Sequence, residues 1–222
     1  MLISISSVLD TDQLGLVRGL LPDVVWKTGA ETAGRVARQV KNNQQADLSQ
    51  TIGPKIEQIL FRQISQNPVL RAAAQPAKFS SLLLSKTQSG GGYGLHVDNA
   101  FMGTGDAALR TDLSFTLFLS SPEDYEGGEL VIEHAGQTQA LKLQAGDLVL
   151  YPSSSLHEVA TVTSGARVVC VGWIESRVRR ADDRETLFDL INLKADLATR
   201  FDDQSPELLT LSKTIANLKR RF

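Results

Sequence analysis

Between residues 78 and 175 glycine-rich turns cut the chain among short β-type runs. The cuts are Ser89-Gly90-Gly91-Gly92, Glu126-Gly127-Gly128, Ala145-Gly146-Asp147 and Ser164-Gly165. The pieces between them, at 79–84, 93–97, 113–119, 129–133, 138–143, 147–151, 158–162 and 167–174, favour β-branched, aromatic and leucine residues. Runs of this length bounded by turn formers predict β-strands. About eight of them in succession predict two facing sheets, a β barrel or jelly roll.

Helical spacing brackets this core. Leu14, Val17 and Leu20-Leu21 form one amphipathic stretch. Ile52, Ile56, Ile59-Leu60 and Ile64 form a second, and Pro68 opens a third. The polar segment at 40–47, with Asn42-Asn43-Gln44-Gln45 at its centre, reads as an ordered loop or a turn into the next helix. Beyond Ala181, Leu187, Leu190-Ile191 and Leu197 mark one helix, and Leu208-Leu209, Leu211, Ile215 and Leu218 mark another. The expected fold is therefore a mainly β core with flanking helices, of the α+β class. The expected units are an N-terminal helical flank at 1–77, a β core at 78–176 and a C-terminal helical subdomain at 177–222. The apolar C-terminal helices offer a surface for a homo-oligomer.

A chain of 222 residues can bury one sizeable core. Lys and Arg number 23 against 25 for Asp and Glu, so no basic excess points to nucleic acid or to an anionic membrane as partner. The start, MLISISSVLDTDQL, lacks the basic and apolar regions of a signal peptide, and no run approaches the length of a transmembrane helix. A cytoplasmic location is the expectation. The single cysteine, Cys170, excludes an intramolecular disulfide and Cys-rich zinc sites. It lies among valines and reads as a buried structural residue.

The chain has three histidines, His96, His134 and His157. His96-Val97-Asp98 follows a glycine turn at the end of a strand-like run. Residues i and i+2 of a strand point to one face, about 6–7 Å apart along the chain, so the imidazole and the carboxylate can converge on one ion. His157 lies 59 residues after Asp98, past Tyr151-Pro152-Ser153-Ser154-Ser155-Leu156, which reads as strand, loop and next strand start. Two histidines and one carboxylate on one octahedral face leave three positions open, which suits non-haem Fe(II) with a bidentate co-substrate and O2. Arg167, ten residues beyond His157, starts a valine-rich strand. Burying a guanidinium there is expensive unless a carboxylate pairs with it, and its planar fork matches the distal carboxylate of 2-oxoglutarate. Other readings stay open for these residues. An isolated HxD is commonly structural, and Arg167 could pair with an internal acid or sit at a solvent edge. A cupin-like metal isomerase or a non-catalytic binding barrel could use the same ligands without needing Arg167. His134, beside Glu133 and the turn Ala135-Gly136, reads as a surface histidine, and Glu129 and Asp147 read as turn formers.

Several segments together resemble the prolyl/lysyl-hydroxylase-like branch of the 2-oxoglutarate oxygenases, and within it the bacterial PKHD-type hydroxylases. They are VKNNQQ at 40–45, YGLHVDNAF at 93–101, LRTDLSFTLFLS at 109–120, YEGGELVIE at 125–133, AGDLVLYPSSSLHEVATVTSGAR at 145–167 and GWIESRVR at 172–179. The resemblance covers nearly the whole chain. It implies a double-stranded β-helix, in which the strand carrying His157 and the strand after it lie in opposite sheets. It places His96, Asp98 and His157 on the metal ligands, Arg167 on the 2-oxoglutarate carboxylate, and Tyr93 within hydrogen-bonding reach of the co-substrate. It implies Fe(2+), 2-oxoglutarate, O2 and L-ascorbate as cofactors, release of succinate and CO2, and a peptidyl or small-molecule substrate. Ser85-Lys86-Thr87 departs from the pattern, and Lys86 is expected to alter the pocket rim or the substrate it takes.

Overall fold

The computed structural model describes residues 1–29, 41–50 and 52–222. The chain enters through β1 (Ile3–Ile5) and α1 (Thr11–Leu20), followed by β2 (Trp26–Thr28), β3 (Lys41–Asn42) and β4 (Gln44–Ala46). Next come α2 (Gly53–Gln66), α3 (Pro68–Ala74), β5 (Pro76–Phe79), β6 (Leu83–Gln88), β7 (Gly92–His96), β8 (Phe101–Met102), β9 (Leu109–Arg110) and β10 (Leu113–Phe118). The second half of the core is β11 (Tyr125–Gly127), β12 (Leu130–His134), β13 (Gln137–Leu141), β14 (Leu148–Pro152), β15 (His157–Val159) and β16 (Val162–Ser176). α4 (Ala181–Leu197) and α5 (Pro206–Lys219) complete the described chain.

The larger sheet runs β1-β14-β10-β16-β6-β4-β2, with β5 and β11 also pairing with β16; the smaller runs β13-β12-β15-β7-β3. The sheets face each other, and Phe118, Val149, Tyr151 and Val169 of the larger pack with Leu130 and Ile132 of the smaller. This is the jelly roll that the turn spacing predicts. β15 and β16 lie in opposite sheets, as the resemblance implies.

The three N-terminal helices cover the outer face of the larger sheet. α1 starts at a capping box: the Asp10 carboxylate accepts the Gln13 N–H at 2.8 Å, and the Gln13 side chain accepts the Asp10 N–H at 3.2 Å. Asn67 ends α2 and caps α3 through the Leu70 N–H, with Pro68 in the first turn, where its missing N–H is not needed. The buried helical stripe Val17, Ile56, Leu60, Ile64 and Leu70 packs with Leu84, Phe115, Leu117, Leu148, Leu150, Cys170 and Ile174 of the sheet. All six residues of β10 are therefore buried, alternate ones against the helices and against the opposite sheet. The C-terminal pair encloses a smaller cluster around Val178, Leu187 and Ile215.

Among the segments that differ from the sequence expectation, three border the cavity or the core strands. The segment expected as a loop forms β3 and β4, which add to the smaller and the larger sheet; its first residue, Val40, lies outside the described residues. The run at 79–84 divides into β5 and β6, and β6 continues to Gln88 through the polar Ser85-Lys86-Thr87. Hydrophobic pattern missed this extension because Ser85 and Thr87 line a cavity rather than an apolar core. Ser164-Gly165 does not break the chain but lies within β16. Gly165 has φ +74°, and a Cβ there would lie 2.1 Å from the Asp124 carbonyl oxygen, so glycine lets β11 approach.

Phe115 and Gly172 are partners across β10 and β16, and a Cβ on Gly172 would meet Phe115 Cζ at 2.5 Å. Gly172→Ala should lower stability by about 1–3 kcal/mol through overpacking. Phe115→Ala should lower it by about 3–5 kcal/mol through the cavity it leaves. Because one change makes room for the other, the double variant should lose less than the sum; urea unfolding followed by circular dichroism measures all three.

Candidate metal centre and co-substrate pocket

His96 ends β7, Asp98 follows two residues later, and His157 opens β15, which pairs with β7 so that His157 and His96 are register partners. One ligand atom from each of His96, Asp98 and His157 lies within 4.8 Å of the others. The His157 Nε2 is 3.8 Å from Asp98 Oδ2. The two imidazole centroids are 4.3 Å apart. His96 Nδ1 donates to the Gly94 carbonyl at 2.8 Å and His157 Nδ1 to the Ser155 carbonyl at 3.0 Å. A carbonyl can only accept, so each Nδ1 carries the proton and each Nε2 offers its lone pair. Burial, then the neighbouring His157, pulls His96 down to about 4, which keeps it in the neutral, metal-binding form at pH 7.

The triad opens into a cavity of about 700 Å³ between the sheets. Arg167, from the start of the valine run in β16, lines the same cavity and is 2% exposed. Its guanidinium carbon sits 5.5 Å from the centre of the Phe118 ring. Its Nε is buried without a hydrogen-bond partner. The arginines that form ion pairs among the described residues are Arg18, Arg110, Arg180 and Arg200. Burial lowers the pKa of Arg167, partly offset by Tyr125 and Tyr151. Arg167 is in none of the ion pairs found among the described residues, and a buried guanidinium at the wall of a cavity suits an external carboxylate. The turn before β12 shapes this wall: Gly128, at φ +67°, would bring a Cβ to 3.1 Å from Arg167 Cδ.

Tyr93 lies in the cavity wall, with its ring stacked on His96 at 3.7 Å between centroids. Burial, then Asp98, raises its hydroxyl to about 12, so it stays a hydrogen-bond donor at neutral pH. His134 closes β12, half-buried and apart from the triad. Cys170 is fully buried, and burial raises its pKa, as expected of an inert structural thiol. Lys86 does not line the cavity; its ammonium lies 5.4 Å from the Trp26 ring centre on the other face of β6. The expected alteration of the rim is thus not where the structure puts it.

Several cavity residues carry no separate signal in the sequence. Lys41 of β3 lies over the Tyr93 ring at 5.3 Å, and burial pulls its pKa down to about 8 against the opposing effect of Asp98. Trp173 lines the cavity with its indole Nε1 buried and unpartnered. Ser114 and Thr116 also line it, from β10. Their alternation with Leu113, Phe115 and Leu117 was a usable sign: a doubly buried strand with one small polar face borders a polar cavity.

Residues 82–175 match the 2OG-Fe(II) oxygenase superfamily. A PKHD-type hydroxylase of Hyphomonas neptunium is 53% identical over 221 residues, covering 100% of this chain and 99% of its own. Among solved structures, a Pseudomonas putida prolyl-4-hydroxylase aligns with TM-score 0.52 at 21% identity, over 80% of this chain and 93% of its own. A Trichoplax adhaerens prolyl hydroxylase, in complex with a peptide fragment of a hypoxia inducible factor oxygen degradation domain, aligns with TM-score 0.58 at 16% identity, over 80% and 85%. Those two likenesses give the fold, a double-stranded β-helix. The full-length identity makes this chain a member of the PKHD-type hydroxylases, Fe(II)- and 2-oxoglutarate-dependent dioxygenases.

Proposed function

We propose that His96, Asp98 and His157 hold the Fe(II) of this dioxygenase and that Arg167 binds the distal carboxylate of 2-oxoglutarate. The observation that carries the reading is Arg167, a buried guanidinium with an unpartnered Nε in the cavity that also holds the triad. Bound Fe(II) supplies the oxygen chemistry, coupling decarboxylation of 2-oxoglutarate to succinate and CO2 with hydroxylation of the substrate. The chain supplies the rest. The two Nε2 lone pairs and the Asp98 carboxylate form the ligand set, and the Nδ1 bonds to backbone carbonyls fix both rings. Arg167 orients the co-substrate by a charge-assisted pair that Phe118 and Val169 shield from water. Tyr93, protonated at neutral pH, donates to the co-substrate from beside His96.

The substrate enters from the side where Leu95, Val97 and Leu156 are exposed at the cavity. Asp98 is the one carboxylate among the described lining residues, against Lys41 and Arg167. This charge pattern favours an uncharged or anionic group, on a peptide or a small molecule, over an ammonium. L-ascorbate fits as the external reductant that keeps the iron ferrous, by resemblance to the family. We also place 1–77, 78–176 and 177–222 as the units of the chain, with β1 to β4 of the first joining the sheets of the second. Exposed Leu193, Leu209 and Phe222 support self-association through the C-terminal unit. No described helix is long and apolar enough to cross a membrane, and the cytoplasm is the location that fits a ferrous enzyme.

Asp98→Ala should lose iron and succinate formation together after anaerobic reconstitution; full activity in that variant would end the assignment of the triad. Arg167→Met should keep its iron but raise the 2-oxoglutarate requirement by roughly 30-fold to several thousand-fold, equivalent to about 2–5 kcal/mol for losing one partner of a buried charged pair. An unchanged requirement, measured as succinate release against 2-oxoglutarate concentration, would remove Arg167 from the co-substrate site.

A further inference from the structure

The carboxylate of Asp98 is tied to the larger sheet by a short relay of hydroxyl groups. The Ser114 hydroxyl donates to Asp98 Oδ2 at 2.6 Å. The Ser153 hydroxyl lies 2.7 Å from that of Ser114. A carboxylate only accepts, so the Ser114 proton is committed to Asp98 and the Ser114 oxygen accepts from Ser153. The relay therefore has one direction, Ser153 to Ser114 to Asp98. Both serines are almost fully buried, at 2% and 3% exposed. The oxygen they hold, Oδ2, is also the one 3.8 Å from His157 Nε2.

Backbone contacts keep both ends of the relay in register. The Thr111 hydroxyl donates to the Asn99 carbonyl, and the Thr111 N–H donates to the Ala100 carbonyl at 3.1 Å. The Ser153 N–H donates to the Asp112 carbonyl at 3.2 Å. The segment after Asp98 and the turn carrying Ser153 are thus both fastened to the entry of β10. Packing alone gives no reason for a hydroxyl at position 114, where alanine would fill nearly the same space.

We propose that Ser114, oriented by Ser153, is a positioning residue that fixes the Asp98 carboxylate for metal binding. The proposal rests on the reading of Asp98 as a metal ligand. Outer partners of this kind typically change metal affinity by about 10–100-fold when removed.

The test is anaerobic titration of the metal-free full chain with Co(II), read by its visible ligand-field absorption, alongside thermal melts of the same samples. Ser114→Ala should bind Co(II) about 10–100-fold more weakly, with the melting midpoint lowered by only about 2–4 °C. Ser153→Ala should fall between the wild type and Ser114→Ala. Ser114→Thr, which keeps the hydroxyl, should return the affinity towards the wild-type value. A lower midpoint with unchanged Co(II) affinity in Ser114→Ala would show a merely structural role and overturn the proposal. Should Ser114→Ala fail to fold, wild-type affinity in Ser153→Ala would overturn the relay. Asp98→Ala separates the two levels: Co(II) binding that survives it sinks the ligand reading itself. Binding that Asp98→Ala abolishes and Ser114→Ala leaves untouched sinks the positioning role alone.

Discussion

The ladder that β16 forms with β10 on one edge and β6 on the other leaves its side chains only two directions to point. One direction meets the helices, where Val168, Cys170 and Ile174 are buried. The other meets the cavity, where Arg167, Val169, Val171 and Trp173 line the wall. A slip of one residue would exchange these sets, placing the guanidinium under the helices and apolar residues in the pocket. The core and the cavity wall are thus two faces of one register. Gly172, pressed against the Phe115 ring, belongs to the part of that register which admits no extra atom.

Much of the fold was legible in the sequence because most strands are short and glycine-rich turns separate many of them, though Gly165 and Gly172 lie inside β16. The candidate triad could be read because HxD sets a histidine and a carboxylate two residues apart at a strand end and His157 opens another strand. What stayed hidden depends on which strands become neighbours. Nothing within residues 40–47 announces that Lys41 and Gln45 join opposite sheets and reach one cavity. The serine relay is hidden for the same reason, since Ser114 and Ser153 come together only when β10 pairs with β14. Lys86 misled in the opposite sense: its neighbours Ser85 and Thr87 face the cavity, and strand alternation turns Lys86 away to Trp26.

Burial sets the protonation pattern of the pocket. His96 is neutral and Tyr93 keeps its proton, each through desolvation first and neighbouring charge second. Lys41 feels the same desolvation, opposed by Asp98. Tyr93 therefore presents a donor and His96 a neutral ring at pH 7, while Lys41 is brought close to its titration range.

Both histidines proposed as ligands use one device, a bond from Nδ1 to the carbonyl two residues earlier in the chain. The device needs no ion: the ring, its tautomer and its backbone partner belong to the same few residues. Asp98 likewise has a protein hydroxyl as partner, so each of the three groups is bonded within the chain. In small zinc modules the metal assembles its own site and the apo chain unfolds. Here the proposed ligands are also oriented by bonds from the chain itself, so a change that breaks one of those bonds is expected to be felt first at the face they share.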